Sequence, residues 1–196
     1  MPHQRLIGDR HYGYKKFDRW AMQLWERRIH QVLDLRADKP GPVDQFGSKV
    51  IDGRPHCPGL APHLENLTLT DDPTERALFV HQIDHRQKFV LRMVKGPLAS
   101  PTKAANAEND PKVGITRWQC PASAGQVGCP LREGTVTVAR DLGLPIVPRP
   151  PVADPDGTLP KCCTQETIQI RPDKSMKYLQ DEYWGSAEWA GLYSLR

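Results

Sequence analysis

Proline limits what this chain can fold into. Its 196 residues include 19 prolines, against 38% hydrophobic and 7% aromatic residues. Each proline fixes φ and removes a backbone donor, so it ends helices and is kept out of central strands. The sequence therefore predicts many turns and irregular connections, a loop-rich α+β chain rather than a helical bundle. Residues 145–160 read as an extended, proline-rich connection, and Asp38-Lys39-Pro40-Gly41-Pro42 breaks any element that enters it. The length supports one domain, or one with a large insertion.

Regular elements are expected between these breaks. Leu6-Ile7-Gly8 reads as a strand ending in the polar turn Asp9-Arg10-His11-Tyr12-Gly13-Tyr14, where Asp9 either faces a ligand or caps the turn. Phe17, Trp20, Ala21, Leu24 and Trp25 follow the period of one helical face, and residues 29–35 then shift toward a strand. Asp52-Gly53 predicts a hairpin over 49–58, with Cys57 on its return arm. Asp72-Pro73-Thr74-Glu75 is a helix start, and that helix is expected to reach about Arg86. Residues 89–94 alternate as a strand with at least one buried face. Residues 96–112 lack an apolar period and read as an exposed loop. Strands are expected at 114–119, 135–139 and 167–171, helix at 174–182, and a last helix from Ser186.

Five cysteines punctuate this plan. Cys120-Pro121 and Cys129-Pro130 lie in one loop, and Cys162-Cys163 follows the proline-rich connection. A cysteine beside proline presents its sulfur from stiffened backbone, and zinc takes four such ligands tetrahedrally. Cys120, Cys129 and Cys163 are the candidate metal ligands. Cys57, Cys162 and His56 each qualify as the fourth, with Cys57 carried as the candidate. The spacing is not a paired C-x-x-C pattern, so buried free thiols are the competing reading, with a disulfide or another metal behind them. An odd cysteine count and an N-terminus without an apolar run predict an intracellular, cytoplasmic chain with reduced thiols. No run of about 18 apolar residues is present, so no membrane span is expected.

The formal charge of +4 is unevenly placed. Residues 1–40 hold nine Lys/Arg against five Asp/Glu, and the rest of the chain holds eighteen of each. Arg10, Lys15, Lys16, Arg19, Arg27 and Arg28 are therefore the candidate phosphate contacts, against the plainer reading of a solvated charged face.

Gly8-Asp9-Arg10-His11-Tyr12 resembles the strand-end segment that carries the second catalytic aspartate in DDE-class transposases of bacterial insertion sequences. Cys120-Pro121-Ala122, Cys129-Pro130-Leu131, Cys163-Thr164-Gln165 and Tyr183-Trp184-Gly185-Ser186-Ala187-Glu188-Trp189 are similar to the insertion and closing helix of an actinobacterial branch of that family. The resemblance implies a partial ribonuclease-H-like core with a loop-rich, cysteine-containing β insertion. Core segments would occupy 1–40 and 173–196, and the insertion 41–172. It further implies metal-dependent phosphoryl transfer in which three carboxylates hold two Mg2+ ions. Asp9 would be the second of these. The first would lie upstream of Met1 and the glutamate beyond Arg196, with Glu188 only a first-turn helix acid. A chain with one of three ligands is expected to be inactive alone.

DNA is the implied partner, together with a second copy of the chain or an intact transposase. An incomplete sheet would also leave apolar surface uncovered and favour poor solubility. Two other readings remain open: a non-catalytic DNA-binding or regulatory protein, and a zinc-stabilised interaction module.

Overall fold

The computed structural model describes residues 4–35, 41–96, 116–170 and 176–195. The expected exposed loop falls outside them except for Gly96. So do residues 114–115 and 171 of two expected strands, and residues 174–175 of an expected helix.

Strand β1, Gln4–Gly8, pairs in parallel with β2, Ile29–Leu33, in a register running from Gln4↔Ile29 to Gly8↔Leu33. Parallel neighbours require a crossover. It is made by a 3-10 turn, Arg10–Tyr14, and helix α1, Ala21–Glu26. The helix begins four residues later than the apolar period predicted. Trp20 supplies no side-chain cap, and the amide of Met22 reaches back to the Phe17 carbonyl, so residues 17–20 form turns instead. Phe17 and Trp20 still pack against the core.

Strands β3, Val43–Gln45, β4, Ser48–Ile51, and β5, Arg54–His56, form an antiparallel meander. The β4–β5 turn has φ of 53° at Asp52 and 83° at Gly53, the primed geometry that Asp-Gly favours. A side chain at Gly53 would also collide with the backbone of residues 178–179, at 2.4 Å. The β3–β4 turn uses Phe46-Gly47 in the same left-handed region, which no sequence signal announced.

Helix α2, Pro73–Gln87, starts where Asp72 Oδ1 accepts the amides of Thr74 and Glu75, both at 2.9 Å. It buries Phe79, Ile83 and Arg86, spaced by four and three residues along one face. The following segment differs from expectation. Phe89, Val90 and Leu91 are buried, but β6, Arg92–Lys95, is exposed at all four positions. The Phe89 carbonyl accepts from Cys57 N and the Leu91 amide donates to Pro55 O, so residues 89–91 lie antiparallel beside β5 before the chain crosses to a third sheet. That sheet is antiparallel, ordered β6, β7 (Thr116–Gln119), β8 (Thr167–Ile170).

Two expectations fail. Residues 135–139 are helix, not strand: α3 runs Thr135–Asp141. The alternating Thr-Val-Thr-Val is only a propensity. Gly134, at φ 73°, turns the chain into the helix, and the Thr135 hydroxyl donates to the carbonyls of Arg132 and Cys129. The helix then seats Ala139 in the interior. Conversely, the described part of the expected 174–182 helix, from Met176 onward, is not helical. Its carbonyls are taken by side chains: Gln31 Nε2 donates to Lys177 O and Leu179 O, and Arg54 Nη2 donates to Gln180 O and Asp181 O. A run of turns and bends whose carbonyls are satisfied in this way has no need of helical amides. Met176, Leu179 and Tyr183 are nevertheless buried.

A four-residue helix α4, Lys161–Thr164, carries Cys162 and Cys163. Helix α5, Ala187–Tyr193, is capped by Ser186, whose hydroxyl accepts the Trp189 amide. The described residues therefore form a mixed α/β chain of small sheets and five α-helices. Three apolar clusters bind them together. One joins Trp25, Trp118, Ile170 and Met176, and a second joins Val32, Phe79, Ile83, Trp184 and Trp189. The third is rich in sulfur and holds Cys57, Phe89, Cys120, Cys129 and Val147.

Candidate functional site

The carboxyl ends of β1 and β2 are the first place to look, because parallel strands present ligand sites at that end. Asp9 follows β1 and Asp34 follows β2. Since Gly8 pairs with Leu33, each acid stands one residue beyond the last pair of the ladder. Asp9 is exposed, and its Oδ1 accepts the His11 amide at 2.8 Å, so it caps the 3-10 turn as well as standing at a strand end. Asp34 is buried, yet Arg10 Nη2 donates to it at 3.1 Å and Trp184 Nε1 at 3.4 Å. Sequence reasoning missed Asp34. The available signal was that Leu33-Asp34 repeats the apolar-strand-then-aspartate pattern of Gly8-Asp9.

The C-terminal segment completes this region. The Gln180 side chain bonds both the amide and the carbonyl of Leu33, at 2.7 and 3.1 Å, replacing a neighbouring strand along that residue. Trp189 Nε1, from α5, donates to the same carbonyl at 3.1 Å. The end of β2, beside Asp34, is thus held against a scaffold drawn from the C-terminal segment. Mg2+ takes oxygen donors, one or two carboxylates together with waters and phosphate, and Asp9 with Asp34 offers that chemistry.

The basic candidates surround this end without forming one cluster. Arg10 is engaged with Asp34. Lys15, Lys16 and Arg19 are exposed before α1, and Arg27 and Arg28 are exposed after it. Six residues of helix separate the groups by roughly 9 Å. Arg27 Nη1 donates to the carbonyl and the side chain of Gln23, both at 2.8 Å.

The cysteines converge elsewhere. Cys57 follows β5, Cys120 follows β7, Cys129 lies in the succeeding loop, and Cys163 sits on α4; all four line one pocket. Each Cys-Pro pair opens a turn whose amide returns to the cysteine carbonyl, Ala124 N to Cys120 O and Arg132 N to Cys129 O, both at 2.9 Å. The pocket has room for about 10 Å³, close to one water-sized body. All five cysteines are free thiols. Burial, and then the neighbouring thiols, push Cys57 up to about 12, and burial also raises Cys129. The Cys162 and Cys163 sulfurs lie 3.9 Å apart, and their hydrogen bonding raises Cys162 and lowers Cys163. Cys162 does not line the pocket, and its sulfur is 3.2 Å from the Gly47 carbonyl.

His56 is withdrawn from that chemistry. Its Nδ1 meets Arg54 O at 2.8 Å and its Nε2 meets the Tyr183 hydroxyl at 2.7 Å, both inside the protein. Burial, with the Arg86 charge, holds the imidazole well below its ordinary range, so it is neutral. Arg86 lies over the Tyr183 ring at 5.2 Å and pairs with Asp52 at 2.7 Å. Burial alone would lower Arg86, but Tyr183 and Asp52 outweigh it and its affinity for the proton rises. Among the described residues, no group of three or more His, Cys, Asp or Glu is arranged to hold a metal ion as the side chains stand. No described helix is long and apolar enough to cross a membrane.

Comparison with protein-family models, with curated proteins and with solved structures returns no match to this chain.

Proposed function

We propose that this chain carries part of a transposase-related, ribonuclease-H-like core, whose work in the intact form is metal-dependent phosphoryl transfer on DNA. The observation that supports this reading best is the acidic strand-end pair. Asp9, the residue matching the second catalytic aspartate, stands at the carboxyl end of a parallel strand, and Asp34 follows the end of the neighbouring strand. Mg2+ bound there would polarise a phosphoryl oxygen and favour ionisation of an attacking hydroxyl. The residues of this chain supply oxygen ligands from Asp9, a guanidinium from Arg10 that can leave Asp34 for a phosphate, and basic side chains at Lys15, Lys16, Arg19, Arg27 and Arg28 to hold the DNA backbone. With one of three expected catalytic carboxylates in place, the chain by itself binds DNA and does not cut it.

Fluorescence anisotropy with duplex DNA tests this. Binding should weaken with salt at a slope of about −0.9 per neutralised phosphate. The Lys15→Ala, Lys16→Ala, Arg19→Ala triple variant should lower that slope. DNA binding that is absent at low salt, or indifferent to salt and to the triple variant, would sink the reading. Mg2+-dependent nicking by the purified chain, lost on Asp9→Ala, would overturn its expected inactivity while strengthening the role of Asp9.

A further inference from the structure

We propose that Cys57, Cys120, Cys129 and Cys163 form a tetrathiolate site for one zinc ion, which fastens the 120–132 loop to the β4–β5 hairpin and to α4. The four sulfurs come from four separate chain segments and line a single pocket. Its room for about 10 Å³ admits an ion or one water and excludes any organic ligand.

The donor set then selects the ion. Thiolates are soft ligands, unsuited to Mg2+ or Ca2+, and four of them in tetrahedral array favour zinc. Buried cysteines often act only as small apolar residues. Two observations set these four apart. Cys162, adjacent in sequence to Cys163, lies outside the pocket and hydrogen-bonds a backbone carbonyl instead. Arg132 also lines the pocket, and its Nε is buried without a hydrogen-bond partner. Four thiolates around Zn2+ carry a net double negative charge, and a guanidinium donor beside them supplies the charge-assisted bond that such ligands require.

Binding exchanges four S–H protons for the ion, with no change of oxidation state. Among the described residues the thiols are not gathered for a metal as the side chains stand, so binding must draw the four sulfurs onto the ion. Both Cys-Pro turns then act as rigid mounts, and the ion adds a fastening inside the sulfur-rich apolar cluster.

Elemental analysis of the full chain, purified under reducing conditions without chelator, should find about one zinc per chain. Cys162→Ser should retain it, whereas Cys57→Ser and Cys163→Ser should each fall to below about a tenth of that content. Because these variants can lose structure, cobalt substitution of the unaltered chain gives an independent readout. Tetrahedral d–d bands with sulfur-to-cobalt charge transfer are expected. A folded chain that holds no zinc and gives no such spectrum would overturn the site. So would a disulfide between two of the four, iron in place of zinc, or zinc retained by both the Cys57 and Cys163 variants.

Discussion

Two arginine–carboxylate pairs sit at different depths in this protein, and the contrast separates support from chemistry. Arg86 and Asp52 meet at 2.7 Å with side-chain exposures of 0% and 4%. Arg10 and Asp34 meet at 3.1 Å, with Arg10 64% exposed and Asp34 at 7%. The first pair is sealed between α2 and the hairpin turn, under the Tyr183 ring, where neither charge has water to fall back on. The second has one partner largely exposed to solvent. Only a carboxylate whose counter-ion can swing away is available to a cation, so the strand-end pair is suited to chemistry and the sealed pair to holding α2, the hairpin and the C-terminal segment together.

The sharpest way to break this contrast is to strip the acid from the sealed pair. Asp52→Ala leaves a buried guanidinium uncompensated and should cost about 3–5 kcal/mol in urea unfolding. A loss near that of a surface pair would show that water reaches Arg86. Tyr183→Phe should cost about 1–3 kcal/mol, since it removes the hydroxyl facing His56 Nε2 inside the protein. An unchanged unfolding midpoint there would mean that the ring, not the hydroxyl, carries the contact. On the open side, Arg10→Ala should change stability by only about 0–1 kcal/mol, with its effect appearing in DNA affinity instead.

The smallest effect belongs to Glu188, at the first turn of α5. Its own backbone amide and the Ser186 hydroxyl lower its pKa. A carboxylate with a depressed folded pKa adds stability above its unfolded value, and that contribution disappears as pH falls through the folded one. Glu188→Gln should therefore lower the melting temperature slightly at neutral pH, with the difference vanishing in acid. A difference that persists in acid would assign the effect to the amide substitution, not to charge.

Much of the local structure was legible because its causes are local. Asp72-Pro73-Thr74-Glu75 starts α2, Ser186 starts α5, and Asp52-Gly53 turns the hairpin, each through hydrogen bonds or dihedral preferences spanning a few residues. Residues 135–139 and 176–182 were misread because their conformations are set from outside the segment. Gly134 and the buried seat of Ala139 turn a β-like sequence into helix. Gln31 and Arg54, far away in sequence, hold an amphipathic run out of helix.

The candidate sites divide in the same way. Asp9, the basic surplus of the first forty residues and the two Cys-Pro turns were marked by residue type and short spacing alone. That Asp9 and Asp34 end neighbouring strands depends on which strands pair and in what register. That Cys57 joins Cys120, Cys129 and Cys163, while Cys162 and His56 turn elsewhere, depends on how four distant segments close around one pocket. Sequence by itself determined the turns, the caps and the chemical types available. The tertiary structure decided which of them meet, because burial, register and the competition for backbone hydrogen bonds are settled only when remote segments pack.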